Sequence, residues 1–168
     1  MPPDADQLSS SSNKGRGGVT RVSGVAILPI PREQAWPSLS DPSVFGAHVA
    51  SAQDIRVVDE RTLRAVIRPA SVLGTVPVQM EFTIVEPVEP ESVSIIGRGW
   101  SSAGEVMVDA QLALRPSDDG GAEVTWTLDA AVFGALRAMT QRVLPALVRL
   151  EADRFFHGVA QEHARVYP

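Results

Sequence analysis

GALRAMTQRVLPALVRLEADRFF, the stretch at residues 134–156, predicts one long C-terminal helix. Its apolar side chains recur at helical spacing in two adjacent stripes, which together make a wide apolar face. The first stripe contains Leu136, Met139, Val143, Leu147 and Leu150, and the second contains Leu144, Val148, Ala152, Phe155 and Val159. Because so broad an apolar face must cover another element, and strands precede it, the stretch predicts a helix lying on a sheet.

Pro145 lies inside this predicted helix. Proline has no N–H to donate to the carbonyl of Gln141, and inside a helix it costs about 3 kcal/mol. We therefore expect a kink at Pro145, where the apolar stripe shifts, and we hypothesise that the kink shapes a pocket beneath the helix. A straight helix through Leu144 and Pro145 would contradict this hypothesis.

Upstream of the helix, apolar and polar residues alternate with the period of a strand. The alternation is clearest at residues 76–84, 106–114 and 124–132, and the SDDGG turn at 117–121 joins the last two as a hairpin. Other strands are predicted at residues 19–28, 55–58, 63–68 and 93–100, and two short helices, at 32–39 and 42–48, follow the first strand. This order predicts an α+β fold with its helices on one face of a curved antiparallel sheet.

Composition restricts the class of protein. The chain has 168 residues, 44% of them hydrophobic, and a net charge of -5, which fits one soluble domain at residues 19–168 and argues against a nucleic-acid binder. It has no cysteine, so disulfides and thiolate metal sites are excluded. No apolar run has the roughly 20 residues needed to cross a bilayer. Residues 1–18 predict a flexible tail without an export signal, so we expect a cytoplasmic protein.

The sequence contains no recognisable catalytic, metal-binding or dinucleotide-binding motif. The three histidines, His48, His157 and His163, have no metal-ligand spacing and favour surface or structural roles. There is no GxSxG nucleophile elbow, and the glycines of residues 97–104 are not followed by a helix as in a dinucleotide site. Those glycines favour a strand bend or a close backbone approach. The sequence therefore predicts no catalytic residue, no metal and no cofactor.

Three segments resemble those of the CoxG family, which is named for a subunit of carbon monoxide dehydrogenase. They are LPIPREQAWPSLSDP at residues 28–42, GRGWSSAG at 97–104, and residues 134–156 with their double Phe. The order and spacing also match, over about residues 19–159, although Pro37, Trp100 and Pro145 depart from the family pattern. That family belongs to the START/SRPBCC superfamily. The resemblance implies a helix-grip fold, in which a seven-stranded antiparallel sheet surrounds the long C-terminal helix and commonly leaves an apolar cavity.

Composition alone favours an ordinary filled core, whereas the resemblance favours a cavity for a hydrophobic ligand. The candidate lining residues are Met80, Phe82, Trp100, Val108, Trp126, Leu128, Leu136, Met139, Val143 and Leu147. We therefore expect non-catalytic binding or carriage of a lipid or quinone-like molecule. The resemblance also implies an accessory role for a molybdenum hydroxylase of the carbon monoxide dehydrogenase type, with peripheral membrane contact.

Two alternatives stay open at this point. The same superfamily hosts enzymes of the polyketide cyclase or hydrolase kind, because a fold does not determine a function. Two or more inward polar side chains around a common point would favour such an enzyme. The other alternative is an interaction module whose pocket is filled by its own side chains.

Overall fold

Seven strands form one antiparallel sheet in the computed structural model, which describes residues 18–68 and 76–166, with side chains as far as residue 163. The strands are β1 Thr20–Leu28, β2 Ala52–Val57, β3 Thr62–Ile67, β4 Val78–Val88, β5 Ser92–Ser101, β6 Gly104–Pro116 and β7 Ala122–Phe133. Their order across the sheet is β1-β7-β6-β5-β4-β3-β2. The predicted α+β helix-grip fold is confirmed. The tail predicted at residues 1–18 lies outside the described residues, apart from Gly18.

Two short helices follow β1, as the sequence predicts. They are α1 Arg32–Ser40, which contains Pro37, and α2 Pro42–His48. Asp41 caps α2, because its carboxylate accepts a hydrogen bond of 3.0 Å from the backbone N–H of Ser43. Proline at the first position of α2 loses no hydrogen bond there. The two helices pack together and close one end of the sheet.

The prediction of one unbroken helix over residues 134–156 is wrong. The chain forms α3 Ala135–Thr140, a turn at residues 141–143, and then α4 Leu144–Val166, which is the long C-terminal helix. Pro145 occupies the first turn of α4, where a missing N–H costs little. The hypothesis of a kink at Pro145 within a continuous helix is therefore also wrong. The helix is interrupted just before Pro145, and the proline helps to start α4.

The inner face of the sheet is apolar and the outer face is exposed to solvent. On β6 the alternation places Val108, Ala110 and Leu112 inward, while Met107 is 45% exposed on the other face. The register pairs Val108 with Ala130, Ala110 with Leu128, and Leu112 with Trp126 on β7. Alternate residues of paired strands therefore build one continuous apolar floor beneath the helices.

Two β-bulges bend the far half of the sheet. The pairing register shifts between Gln53 and Arg56 on β2 and between Val85 and Val88 on β4. The residues Asp54 and Glu86 within these shifts have φ values of 52° and 49°. Because bulges bend a strand and increase its twist, they let the sheet curve around the helices.

The free edge of the sheet carries an ion pair. Arg21 of β1 donates hydrogen bonds of 2.7 and 2.9 Å to the carboxylate of Asp129 on the neighbouring strand β7. The hydrogen bonds and charge of this guanidinium lower the pKa of Asp129. Since the pair is exposed, it adds little to stability.

Buried apolar side chains between sheet and helices form two clusters. The larger packs α1, α2 and the second half of α4 on the sheet, with Trp36, Leu39, Phe45, Phe155 and Phe156 among its members. The smaller lies near α3 and consists of Val78, Met80, Val132 and Leu136. The core therefore consists of two clusters, one near α3 and one beneath α1, α2 and the second half of α4.

The inward glycines of β5 allow close packing, as the sequence predicts. A methyl group built at Gly97 would lie 3.0 Å from Met80 Cε and 3.2 Å from Phe82 Cδ1. At Gly99 it would overlap the sulfur of Met80 and lie 2.9 Å from Val78 Cγ1. Side chains of β4 thus occupy the space that a larger residue on β5 would fill.

We expect Gly99→Ala to lower the free energy of unfolding by about 1–3 kcal/mol, because the added methyl overpacks the small cluster. Urea denaturation of the full chain measures this loss. Gly18→Ala is the control, since nothing lies within 4 Å of a methyl group at that position. Equal midpoints for the two variants would contradict the packing described here.

Candidate functional site

A cavity of about 300 Å³ lies between the inner face of the sheet and the C-terminal helices. Its walls include all four members of the small cluster, Val78, Met80, Val132 and Leu136. They also include members of the larger cluster, such as Phe45, Ile95, Leu112, Trp126 and Phe155. The cavity is thus bounded by both parts of the divided core.

The strands β6 and β7 form the floor of the cavity, the wall opposite the helices, and small side chains there leave space beneath the helices. Val108, Ala110 and Ala130 all face it, and the register places Val108 directly opposite Ala130. An alanine contributes one methyl group where a leucine or phenylalanine would reach the helix. The helix above cannot come closer, because the larger side chains at the two ends hold it away.

The roof is formed by one stripe of α4. The residues Leu144, Leu147, Val148, Ala152 and Phe155 line the cavity, and they recur at the three- and four-residue spacing of a helix face. Most of this stripe is only half-buried. The roof therefore leaves apolar surface that the protein's own core does not cover.

One end of the cavity is aromatic. Phe45 of α2 lies edge-on to Phe82 of β4 at a centroid distance of 5.7 Å, and 5.3 Å from Phe155 of α4. Phe155 in turn lies 5.2 Å from Phe156, and all four rings line the cavity. Rings at these separations pack as in a protein core, so this end is rigid and apolar.

Three polar side chains reach the cavity, namely Ser51, Thr140 and Glu151. The hydroxyl of Thr140 donates a hydrogen bond of 2.9 Å to the carbonyl of Leu136, so it is already used. Glu151 differs, because its Oε2 is buried and accepts no hydrogen bond from the described residues. None of the described lining residues is Arg, Lys or His.

Seven of the ten sequence-predicted lining residues do line this cavity. They are Met80, Phe82, Val108, Trp126, Leu128, Leu136 and Leu147. Six of these lie on strands or on α3, where the period of the apolar pattern gave the correct face. Whether they touch a ligand stays a prediction.

The other three, Trp100, Met139 and Val143, lie outside the cavity. Trp100 follows Gly99 on β5, and the strand alternation turns it to the outer face, where it is 46% exposed. Met139 is 42% exposed, and Val143 lies in the turn before α4. The break at residues 141–143 removes Val143 from the helical stripe. Met139 lies before the break on the same helix as Leu136, and α3 buries Leu136 while leaving Met139 exposed.

Sequence reasoning missed several wall residues, including Phe45, Ala110, Ala130, Phe156 and Glu151. The small residues gave no signal, because an inward alanine on a strand looks like any other core position. Glu151 did give one, since it is a carboxylate four residues after Leu147 and four before Phe155. It therefore interrupts the apolar stripe that faces the sheet.

His48 has a structural setting. It is buried against Phe155, and its Nε2 lies 2.6 Å from Glu162 Oε2, so it links α2 to α4 outside the cavity. In the described part of the chain, no three His, Asp or Glu side chains are grouped so that they could hold a metal ion. Within the same ranges, no helix is both long enough and apolar enough to cross a bilayer.

A family model described as the carbon monoxide dehydrogenase subunit CoxG matches residues 24–164. No functionally curated protein shows a significant sequence match. The matched residues include every strand from β2 to β7, both short helices and most of α4. The match therefore covers all the elements that build the cavity.

Solved structures share the fold. A conserved protein from Geobacillus kaustophilus has a TM-score of 0.78 at 22% identity, over 87% of this chain and 96% of that one. A START superfamily protein from Mycobacterium smegmatis has a TM-score of 0.62 at 10% identity, over 84% and 97%. Ara h 8.0201 has a TM-score of 0.59 at 12% identity, over 84% and 98%. At these identities the likeness establishes a START-like helix-grip fold and nothing finer.

We expect Leu136→Ala to lower the free energy of unfolding by about 2–5 kcal/mol, because it removes a fully buried side chain from an already hollow wall. Leu150→Ala is the matched control, since Leu150 is 39% exposed on the outer side of α4. That change should cost less than about 0.5 kcal/mol. Thermal or urea denaturation measures both, and equal losses would show that α3 does not seal the cavity.

Proposed function

The chain belongs to the CoxG family, and we propose that it binds a hydrophobic small molecule, lipid-like or quinone-like, beneath α4. The observation that carries this proposal is an apolar cavity left open by the protein's own side chains. Its volume of about 300 Å³ is at the lower end of the range of about 300–1,000 Å³ that is typical of ligand pockets.

Removal of apolar surface from water would drive binding. Each Å² of apolar surface hidden contributes about 25 cal/mol, for the ligand and for the half-buried roof of α4 alike. The aromatic end supplies rigid flat walls, while Met80 adds a flexible side chain that can adjust to irregular guests. A ligand with one flat or branched end and a slender body suits this combination.

Carriage is preferred over catalysis because the described lining offers few reactive groups. Ser51, Thr140 and Glu151 are its polar side chains, and the Thr140 hydroxyl is held by the Leu136 carbonyl. A cyclase or hydrolase would need polar groups placed around the reacting atoms. The filled interaction module is the weaker alternative, since the space between the two clusters is not filled.

A partner is proposed on the strength of the family description. Since the matching model is named for a subunit of carbon monoxide dehydrogenase, we extend the proposal to an accessory role for a molybdenum hydroxylase of that type. The molybdenum would belong to the partner. Peripheral membrane contact and a cytoplasmic location stay predictions from the sequence.

The central experiment asks whether an apolar guest travels with the full-length protein. Native mass spectrometry of the purified chain, before and after extraction with organic solvent, should show a bound mass that extraction removes. The extracted protein should then take up added lipids or quinones. If no guest is found and none of the added compounds binds, the proposal is overturned.

We expect Val108→Trp to abolish this uptake, because the indole would occupy the low floor of the cavity opposite Ala130. Met107→Trp is the matched control, since the neighbouring side chain points to the outer face. Met139→Arg is a second control on an exposed helix position. Circular dichroism confirms that each variant folds, and uptake by a folded Val108→Trp protein at the wild-type level would place the ligand elsewhere.

A further inference from the structure

Glu151 is the one carboxylate among the described lining residues of the cavity. It lies two turns into α4, between Leu147 and Phe155 on the stripe that faces the sheet. Its Oε2 is buried, and no described residue donates a hydrogen bond to it. An acceptor of high charge density thus faces a space whose other walls are almost wholly apolar.

The neighbouring charged side chains on α4 do not supply the missing donor. Arg149 donates instead to the carbonyl of Ser23 on β1, at 3.1 Å. Arg154 and Asp153 are exposed, and Asp153 lies with Arg149 in a separate groove between α4 and β1. No donor among the described residues reaches Oε2, so a donor on a molecule in the cavity is the partner that would satisfy it.

Leaving a buried acceptor unpaired is unfavourable, and more so when it is charged. Nearly all buried polar atoms in folded proteins have a hydrogen-bond partner, so each exception calls for a ligand, an ion or a water. A carboxylate in a low-dielectric cavity also forms a stronger hydrogen bond than it would in water. The unpaired oxygen is therefore a source of selectivity among apolar guests of similar size.

We propose that the cavity selects apolar molecules that carry a hydroxyl group, and that Glu151 accepts the hydrogen bond of this hydroxyl. The inference rests on the proposed ligand-binding function and adds the polar group of the ligand to it. A guest with a carbonyl or ether oxygen at the same place offers no donor, so among quinone-like guests Glu151 would favour the reduced, hydroxyl-bearing quinol over the quinone. A fatty acid would bring a second carboxylate against the first, which is repulsive.

Three probes that share a ten-carbon chain test the selectivity on the full-length protein after organic extraction. They are 1-decanol, which has a donor, 1-methoxydecane, which has only an acceptor, and decanoate, which is anionic. Isothermal titration calorimetry should show that 1-decanol binds about tenfold to a hundredfold more tightly than 1-methoxydecane, as expected for a hydrogen bond to a charged group. Decanoate should bind most weakly.

The variant Glu151→Met keeps the length and apolar body of the side chain but removes the acceptor. The preference for 1-decanol should fall to about one, while binding of 1-methoxydecane is kept or improved. Glu151→Gln should reduce the preference and raise the affinity for decanoate, because it removes the charge and adds an amide donor. Asp153→Met is the matched control on the same helix and should leave the preference unchanged.

The outcomes separate this inference from the function on which it rests. Equal binding of all three probes to the wild type, or an unchanged preference in Glu151→Met, overturns the role of Glu151 and leaves ligand binding intact. The first of these results is also what a bound water on Oε2 would give. Failure of the wild type to bind any of the probes counts against ligand binding and selectivity together.

Discussion

The attachment of α3 to the end of the sheet is the contact on which the cavity depends. The N–H of Leu136 donates a hydrogen bond of 2.8 Å to the carbonyl of Ala103, in the turn between β5 and β6. Gly104 and Gly134 make this approach possible, since their φ values of 147° and 75° suit glycine and a methyl group on Gly104 would overlap the Phe133 carbonyl. With α3 held here and α4 held at Phe155 and Phe156, the helical layer bridges the middle of the sheet without filling it.

The sequence predicts the fold well because the period of the apolar residues, and the residues that end strands and helices, are local signals along the chain. The seven strands follow from alternation, and the two short helices follow from their prolines and from the Asp41 cap. The break between α3 and α4 is a different matter, because residues 141–143 carry no glycine and read as helix. Pro145 signals an irregularity there, because it cannot donate to the carbonyl of Gln141. Whether the helix kinks or stops depends on how α3 packs on the turn at Ala103, and a pattern along the chain does not contain that contact.

The residues that line the cavity could be predicted about as well as the fold, and each wrong prediction has an identifiable cause. Inward strand positions such as Met80, Val108 and Leu128 follow from period alone. Met139 and Val143 were wrong because tertiary structure decides how α3 and the turn after it lie on the sheet. Trp100 is a different error, since the alternation of β5, with Gly97 and Gly99 inward, already turns it to the outer face. The cavity exists because the facing side chains are too small to fill the distance between the sheet and the helices. The sizes of the side chains can be read from the sequence, whereas that distance requires the structure.

The proposed role of Glu151 is one way in which a cavity of this type would acquire specificity. Apolar walls bind by area and distinguish guests weakly, since one methylene changes the binding free energy by only about 1–3 kcal/mol. A buried polar group discriminates by chemistry and not by size, because a guest of the same area that leaves it unpaired bears the desolvation penalty of that group. The position of Glu151 on α4 matters as well. The α4 side chains over the cavity are half-buried and leave apolar surface uncovered, whereas the aromatic end is already packed against itself. In the proposed complex the same helix supplies both the apolar cover for a guest and the oxygen that orients it, and a change in the position of α4 would alter affinity and selectivity together.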